Sequence, residues 1–197
     1  MRLPFIAAAI VVLSLLACSG PENPTPVMGP ENTLTETPDY AEASPSAAPL
    51  TRKSSGNTLI ETPEYTGVIF TQNRASEFGF LFDKASTEFW EPSVNDISRA
   101  EKCIRELLVS VQQDPNAYQK EHAAYILENL GEYRRQYVGI VVDGEKRIWT
   151  NSFFSEDSFP DWERDPVYVL DGGNHFWQIE YVLPRDECIK FHVHGEA

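Results

Sequence analysis

Clustered positive charge is what this sequence lacks most clearly. Its 197 residues carry 16 Lys and Arg against 30 Asp and Glu, a formal charge of -14. The basic residues are dispersed, so no stripe exists to follow a phosphate backbone, and nucleic acid is excluded as a partner. A basic face for anionic lipid is missing for the same reason. Long apolar runs are missing too. The only charge-free apolar stretch, Leu3 to Ala17, falls short of the ~20 residues a membrane-spanning helix needs. Cysteine is scarce, at three residues: Cys18, Cys103 and Cys188. No nucleophile elbow, phosphate-cradling glycine loop or His-Glu-x-x-His is present. No serine or free cysteine stands with a base and an orienting group. Nothing in the chain calls for a cofactor.

What is present begins at the amino terminus. Arg2 followed by a short apolar run reads as an export signal. The run closes on Leu15-Leu16-Ala17-Cys18: a branched apolar residue, a second residue, a small residue, then cysteine. This resembles the lipobox of bacterial lipoproteins. The resemblance implies a signal peptide over residues 1–17, cleavage before Cys18, and acylation of that thiol and the new amino terminus. A single acyl chain holds a protein reversibly, whereas two or more give stable residence, at ~0.8 kcal/mol per buried CH2. The bilayer, reached through acylated Cys18, is thus one expected partner. Localisation is expected in the cell envelope, facing the periplasm or exterior. Ser19 is not the aspartate that retains many lipoproteins at an inner membrane, which favours an outer membrane where two exist.

Residues 18–65 are expected to form the anchor and a disordered tether. From Ser19 onward the segment is rich in Pro, Thr, Ser, Ala and Glu, with eight prolines. Such a composition buries too little apolar surface to offset its ordering entropy. The tether repeats itself. Asn32-Thr33-Leu34-Thr35-Glu36-Thr37-Pro38-Asp39-Tyr40 returns as Asn57-Thr58-Leu59-Ile60-Glu61-Thr62-Pro63-Glu64-Tyr65, matching at seven of nine positions. The second copy abuts the globular part and reads either as tether or as the leading edge of the domain.

Residues 66–197 are expected to form a globular α+β domain. About 130 residues suffice for a sizeable core. Gly67–Thr71 and Phe78–Phe82 read as short strands. Ser93 and Asp96 form a capping-box start, and Ile97, Ala100, Ile104, Leu107, Leu108 and Val111 make a helical stripe, with Cys103 at its edge. A second helix is expected from Pro115 to Leu130, capped by Gly131. Then come strands. Gln136–Val142 and Arg147–Phe153 flank Asp143-Gly144, a hairpin signal; Val167–Leu170, His175–Leu183 and Ile189–His194 follow. One or two helices packed on one face of an antiparallel meander is the expected architecture. It loosely resembles cystatin-like and NTF2-like folds. Trp90-Glu91-Pro92-Ser93 and Asp171-Gly172-Gly173 are similar to segments of uncharacterised bacterial exported domains.

The last hairpin poses a register problem. A four-residue loop, Pro184–Glu187, would turn Ile189, Phe191 and Val193 to water and bring His192 and His194 to the apolar face. A three- or five-residue loop restores the match, but neither puts Cys188 against the helix edge holding Cys103. The Cys103–Cys188 disulfide is therefore favoured by an oxidising compartment and disfavoured by pattern.

Three sites are candidates. His192 and His194 share a strand face, and Glu180 on the neighbouring strand could complete a metal site. The acidic stretch from Ser155 to Asp165 carries Phe159 and Trp162, which could contact an envelope protein partner; its acids do not have EF-hand spacing. Arg134 and Arg135, flanked by tyrosines, could hold a carboxylate or sugar, or pair with the domain's own acids. The functional expectation is a non-catalytic binding module on a membrane tether. The alternatives are a small metal-dependent or hydrolytic envelope enzyme and a cystatin-like protease inhibitor.

Overall fold

The computed structural model describes residues 48–82, 88–115, 119–154 and 158–195. The signal segment, Cys18 and the first repeat copy lie outside the described residues.

The chain is mixed α+β, built on an eight-stranded sheet in the order β1-β2-β3-β5-β6-β7-β8, with β4 also paired to β5. The strands are β1 (Leu50–Ser54), β2 (Asn57–Glu61), β3 (Thr66–Ile69), β4 (Glu88–Trp90), β5 (Arg134–Val142), β6 (Glu145–Phe153), β7 (Phe176–Val182) and β8 (Glu187–Val193). The helices are α1 (Gln72–Ala75), α2 (Val94–Gln113) and α3 (Lys120–Glu128). The second repeat copy is therefore not tether. It forms β2 and the turn into β3, with Leu59 and Ile60 fully buried. The expected boundary at residue 66 moves back to at least Leu50. Composition misled there because Thr, Glu and Pro dominate the copy while two adjacent apolar residues feed two different cores.

The sheet is not a pure meander. β3 runs parallel to β5, pairing Thr66 to Arg134 through Ile69 to Tyr137, while β4 takes the rest of the same β5 edge in antiparallel register. Gly139 permits this. A Cβ there would strike the Trp90 carbonyl and ring. Trp90 instead lies across the strand and donates from Nε1 to the carbonyls of Ile140 (3.1 Å) and Arg147 (3.2 Å). The β5–β6 turn carries positive φ at Asp143 (53°) and Gly144 (76°), the type I′ pattern whose twist matches the strands it joins.

α2 begins at Ser93 with the capping box complete. Its stripe of Ile97, Ala100, Ile104 and Leu108 packs, with Ala123 and Ile126 of α3, on Tyr137, Ile148, Trp177, Ile179 and Tyr181 of the sheet. α3 starts at Lys120, not Pro115, and continues into a 3-10 turn, Leu130–Glu132, that contains Gly131. The opposite sheet face is covered as well. Leu59, Val68, Val138, Ile140, Trp149 and Phe153 form a second core beneath Ala75, Phe78, Trp162 and Val167. Phe78–Phe82 is accordingly not a strand. Ser76–Leu81 is a 3-10 helix, whose three-residue repeat brings Ala75, Phe78 and Leu81 down on one side. Val167–Leu170 is not a strand either; Val167 is held by side chains, as described below.

A β-bulge solves the hairpin problem. Tyr181 pairs with Cys188 and Glu180 with Ile189, the register shifts, and Gln178 then pairs with His192 and Trp177 with Val193. Lys190, at φ 55°, is the inserted residue. One extra residue reverses the alternation, so Cys188 and Val193 both join the helix-side core and His192 stays outside. Cys103 and Cys188 are bridged, with Cα atoms 5.9 Å apart, well within disulfide reach. A four-residue connection thus reconciles cysteine and histidines, an answer that uniform alternation did not admit.

Candidate functional site

Two buried polar arrangements hold the sheet between its cores. On the helix side, fully buried Arg135 meets Glu101 (Nε to Oε1, 3.0 Å) and donates to the carbonyls of Tyr133 (2.9 Å) and Leu130 (2.8 Å). Tyr137 donates its hydroxyl to the same Glu101 oxygen at 2.7 Å, and the guanidinium lies over the Tyr65 ring. Burial, then the Glu101 charge, pushes the Tyr137 hydroxyl pKa well above its ordinary value. Arg135 therefore serves the fold's internal charge balance and presents no free guanidinium to a ligand.

On the other face an amide row crosses the sheet. Gln136, Asn151, Gln178 and His192 are successive register partners on β5, β6, β7 and β8. Gln136 donates to the carbonyls of Trp162 (2.7 Å) and Asp165 (2.8 Å) and accepts from the Val167 amide (2.9 Å). Asn151 donates to the Val167 carbonyl at 2.8 Å. Asn57 donates to the Glu163 carbonyl at 3.0 Å. The acidic loop is thereby fastened to the sheet. Its Trp162 is 6% exposed and packs edge-on against Phe153. Phe159 is half-buried against Phe153 and Phe176. The expected contact pair is a core anchor instead. A tryptophan among acids looks exposed in sequence, but the amide row supplies the partners that let this loop lie flat.

The metal candidate is also rearranged. Glu180 is bound by Arg147 (3.0 Å) and Lys190 (2.9 Å), two cations that satisfy its carboxylate. His192 and His194 remain neighbours, with ring centroids 5.6 Å apart. No group of three His, Cys, Asp or Glu suited to a metal ion occurs among the described residues.

What surrounds the two imidazoles is a cleft of about 260 Å³. Trp149 and Gln178 line it with the histidines, and Tyr168 and Leu170 also border it. Tyr168 is 47% exposed and Leu170 75%; Phe80, 53% exposed, meets Tyr168 edge-on at 5.4 Å. A second hollow of about 180 Å³ shares Trp149, Gln178 and His192 and runs on to Glu180 and Lys190. Burial, then the His192 charge, lowers the His194 pKa; backbone groups of Val169 and Leu170 and the Asp171 charge act the other way. The result is an apolar-rimmed trough floored by an indole, an amide and imidazoles. It offers stacking surface and hydrogen-bonding groups to a partner, but no built nucleophile. Sequence reading missed Phe80, Tyr168 and Leu170. For Tyr168 and Leu170 the signal was in Val167–Leu170, where both alternating sets are apolar although only Val167 anchors a core.

A third cluster joins the first turn of α3 to the Asp171–Asn174 turn. His122 is hydrogen-bonded to Asn174, Tyr133 donates to the Asn174 carbonyl at 2.7 Å, and His175 stacks on Phe154. These contacts tie the Asp171–Asn174 turn to α3. No helix among the described residues is long and apolar enough to cross a membrane. No protein-family description, curated protein or solved structure matches the chain.

Proposed function

We propose that this chain is a membrane-anchored extracytoplasmic lipoprotein, acylated at Cys18, whose domain is a non-catalytic binding module for an envelope protein partner. The observation that carries the binding half is the trough: three large apolar side chains, Phe80, Tyr168 and Leu170, stand exposed together beside a polar-floored cleft. Clustered exposed apolar surface rimming polar groups marks interaction sites. The location half is supported by the Leu15-Leu16-Ala17-Cys18 motif and by the Cys103–Cys188 bridge, which suits an oxidising compartment. The contact surface is moved from Phe159 and Trp162 to this trough. The enzyme and protease-inhibitor alternatives have no observation in their favour.

The two halves are tested separately. Palmitate labelling with and without globomycin reads the anchor: label on the wild type, lost in Cys18→Ser, and precursor accumulating with the drug. Absence of label removes it. Recovery of envelope proteins by wild type and by Leu170→Asp reads the trough. Leu170 is an exposed position, so Leu170→Asp leaves the melting temperature within a few degrees. Identical recovered partners would take the trough out of the proposal.

A further inference from the structure

The edge strand β8 changes register halfway along. Near the turn, Val182 opposes Glu187, Tyr181 opposes Cys188 and Glu180 opposes Ile189. Beyond the bulge, Gln178 opposes His192 and Trp177 opposes Val193. Lys190 is the inserted residue and sits at φ 55°, a left-handed conformation that disfavours a residue with a Cβ. Continuing the far register back to the turn would remove the bulge. Lys190 would then oppose Glu180, Ile189 would oppose Tyr181, Cys188 would oppose Val182 and Glu187 would oppose Leu183.

We propose that the Cys103–Cys188 bridge holds β8 in the bulged register, and that its reduction lets the Glu187–Lys190 half slide by one residue into the unbroken one. Residues directly opposed across an antiparallel pair share a face. Ile179 and Tyr181 belong to the helix-side core, so the unbroken register turns Ile189 inward with Val193 and sends Lys190 and Cys188 outward. In the bulged register Ile189 is instead half-buried opposite Glu180, on the other face. The side chain of Ile189 and the backbone of Lys190 thus both favour the slide. Charge permits it, because Lys190 Nζ already lies 2.9 Å from Glu180 Oε1 and direct opposition keeps that pair. The turn permits it as well. Pro184-Arg185-Asp186 becomes a three-residue loop, a type that ends on a left-handed residue, and Asp186 is already at φ 52°. Asp186, held by Arg99 and Tyr181, stays in the turn in both registers. Cys188 is the residue that needs the bulge, which brings its Cα within 5.9 Å of that of Cys103.

The reductant is a dithiol. Thiol–disulfide exchange breaks the Sγ–Sγ bond, two electrons and two protons pass to the chain to give two thiols, and the reductant leaves as its own disulfide. The slide changes the outer face of the sheet. Glu180 and Lys190 border the hollow of about 180 Å³ that shares Trp149, Gln178 and His192 with the trough. A bond on the helix side thereby sets the shape of one end of the trough on the other side; this consequence alone rests on the trough as a binding surface.

The register is read without a partner or an anchor. Full-length chain carrying Cys18→Ser is isotope-labelled, and cross-strand nuclear Overhauser contacts are recorded before and after reduction with dithiothreitol. The oxidised chain is expected to show Glu180 against Ile189. The reduced chain is expected to lose that contact and gain Glu180 against Lys190 and Tyr181 against Ile189. Cys103→Ala, which removes the bridge without a reductant, gives the same change. Adding Lys190→Gly, which accepts a positive φ freely, restores the Glu180–Ile189 contact in that bridge-free chain. Retention of the Glu180–Ile189 contact in both the reduced chain and Cys103→Ala overturns the proposal. Loss of every β7–β8 contact, or no effect of Lys190→Gly, overturns it too. Leu170→Asp, which tests the trough itself, leaves the register unchanged in either state, so failure of the trough and failure of the register are told apart.

Discussion

Arg135 and Glu101 show what a buried charge asks of its neighbours. The guanidinium is fully buried; among the described residues its charge is met by Glu101, and the carbonyls of Tyr133 and Leu130 accept from its two terminal nitrogens. Glu101→Gln leaves that charge uncompensated and is expected to cost about 3–5 kcal/mol in urea unfolding. Adding Arg135→Met should cost less than the sum of the two single changes, because the second removes the charge the first orphaned. Strict additivity would mean that the pair is not coupled. His194 gives a pH signature. Its pKa is lowered in the fold, so the unfolded chain binds the proton more tightly. The stability this contributes is present above the unfolded value, near ~6.5, and is lost as pH falls through the lower folded value. Stability curves of wild type and His194→Gln should therefore diverge in slope as pH drops from about 7.5 to 5, with the variant flatter. Parallel slopes would remove His194 from the acid response.

At the level of elements, the β8 bulge decides more than any single side chain. It lets Cys188 face α2 while His192 faces out, and so makes the bridge to Cys103 geometrically natural. The bridge spans a sequence separation of 85 residues and ties α2 to the far edge strand. Its removal in Cys103→Ala with Cys188→Ala should lower stability by about 4–5 kcal/mol in the chain-entropy account. Unchanged denaturation midpoints with and without reductant would show that the bridge constrains nothing. The start and the buried stripe of α2 were legible from sequence, because a cap and an apolar stripe are both local signals. The β5–β6 hairpin was legible for the same reason. The bulge was visible only as a contradiction between two patterns. β4 was not visible at all, since its place depends on Gly139, some fifty residues away, lacking a side chain.

For the whole molecule, what stayed hidden is that the sheet has two covered faces. Helices expected on one face of a meander suggest one covered face, and the second lid is made of pieces that resemble loops: Ala75, Phe78, Trp162 and Val167. The trough was illegible for the same reason, because Tyr168, Leu170 and Phe80 meet only when those pieces settle on the sheet. The two-faced sheet also explains why the tether boundary fell in the wrong place. β2 is the strand that feeds both cores, with Leu59 to one side and Ile60 to the other, and Tyr65 completes the cover over Arg135. Each of these three burials is worth roughly 1.5–3 kcal/mol, so their joint loss approaches the ~5–15 kcal/mol that holds a domain together. A chain beginning at Ala43, where the compact unit starts, is therefore expected to melt cooperatively with near-ultraviolet circular dichroism like that of the longer protein. A chain beginning at Thr66 should show no cooperative transition, or one lower by tens of degrees, with the exposed β3 edge driving association. If the shorter chain melts within a few degrees of the longer one, β1 and β2 are appendages, and the two-core account of this sheet fails.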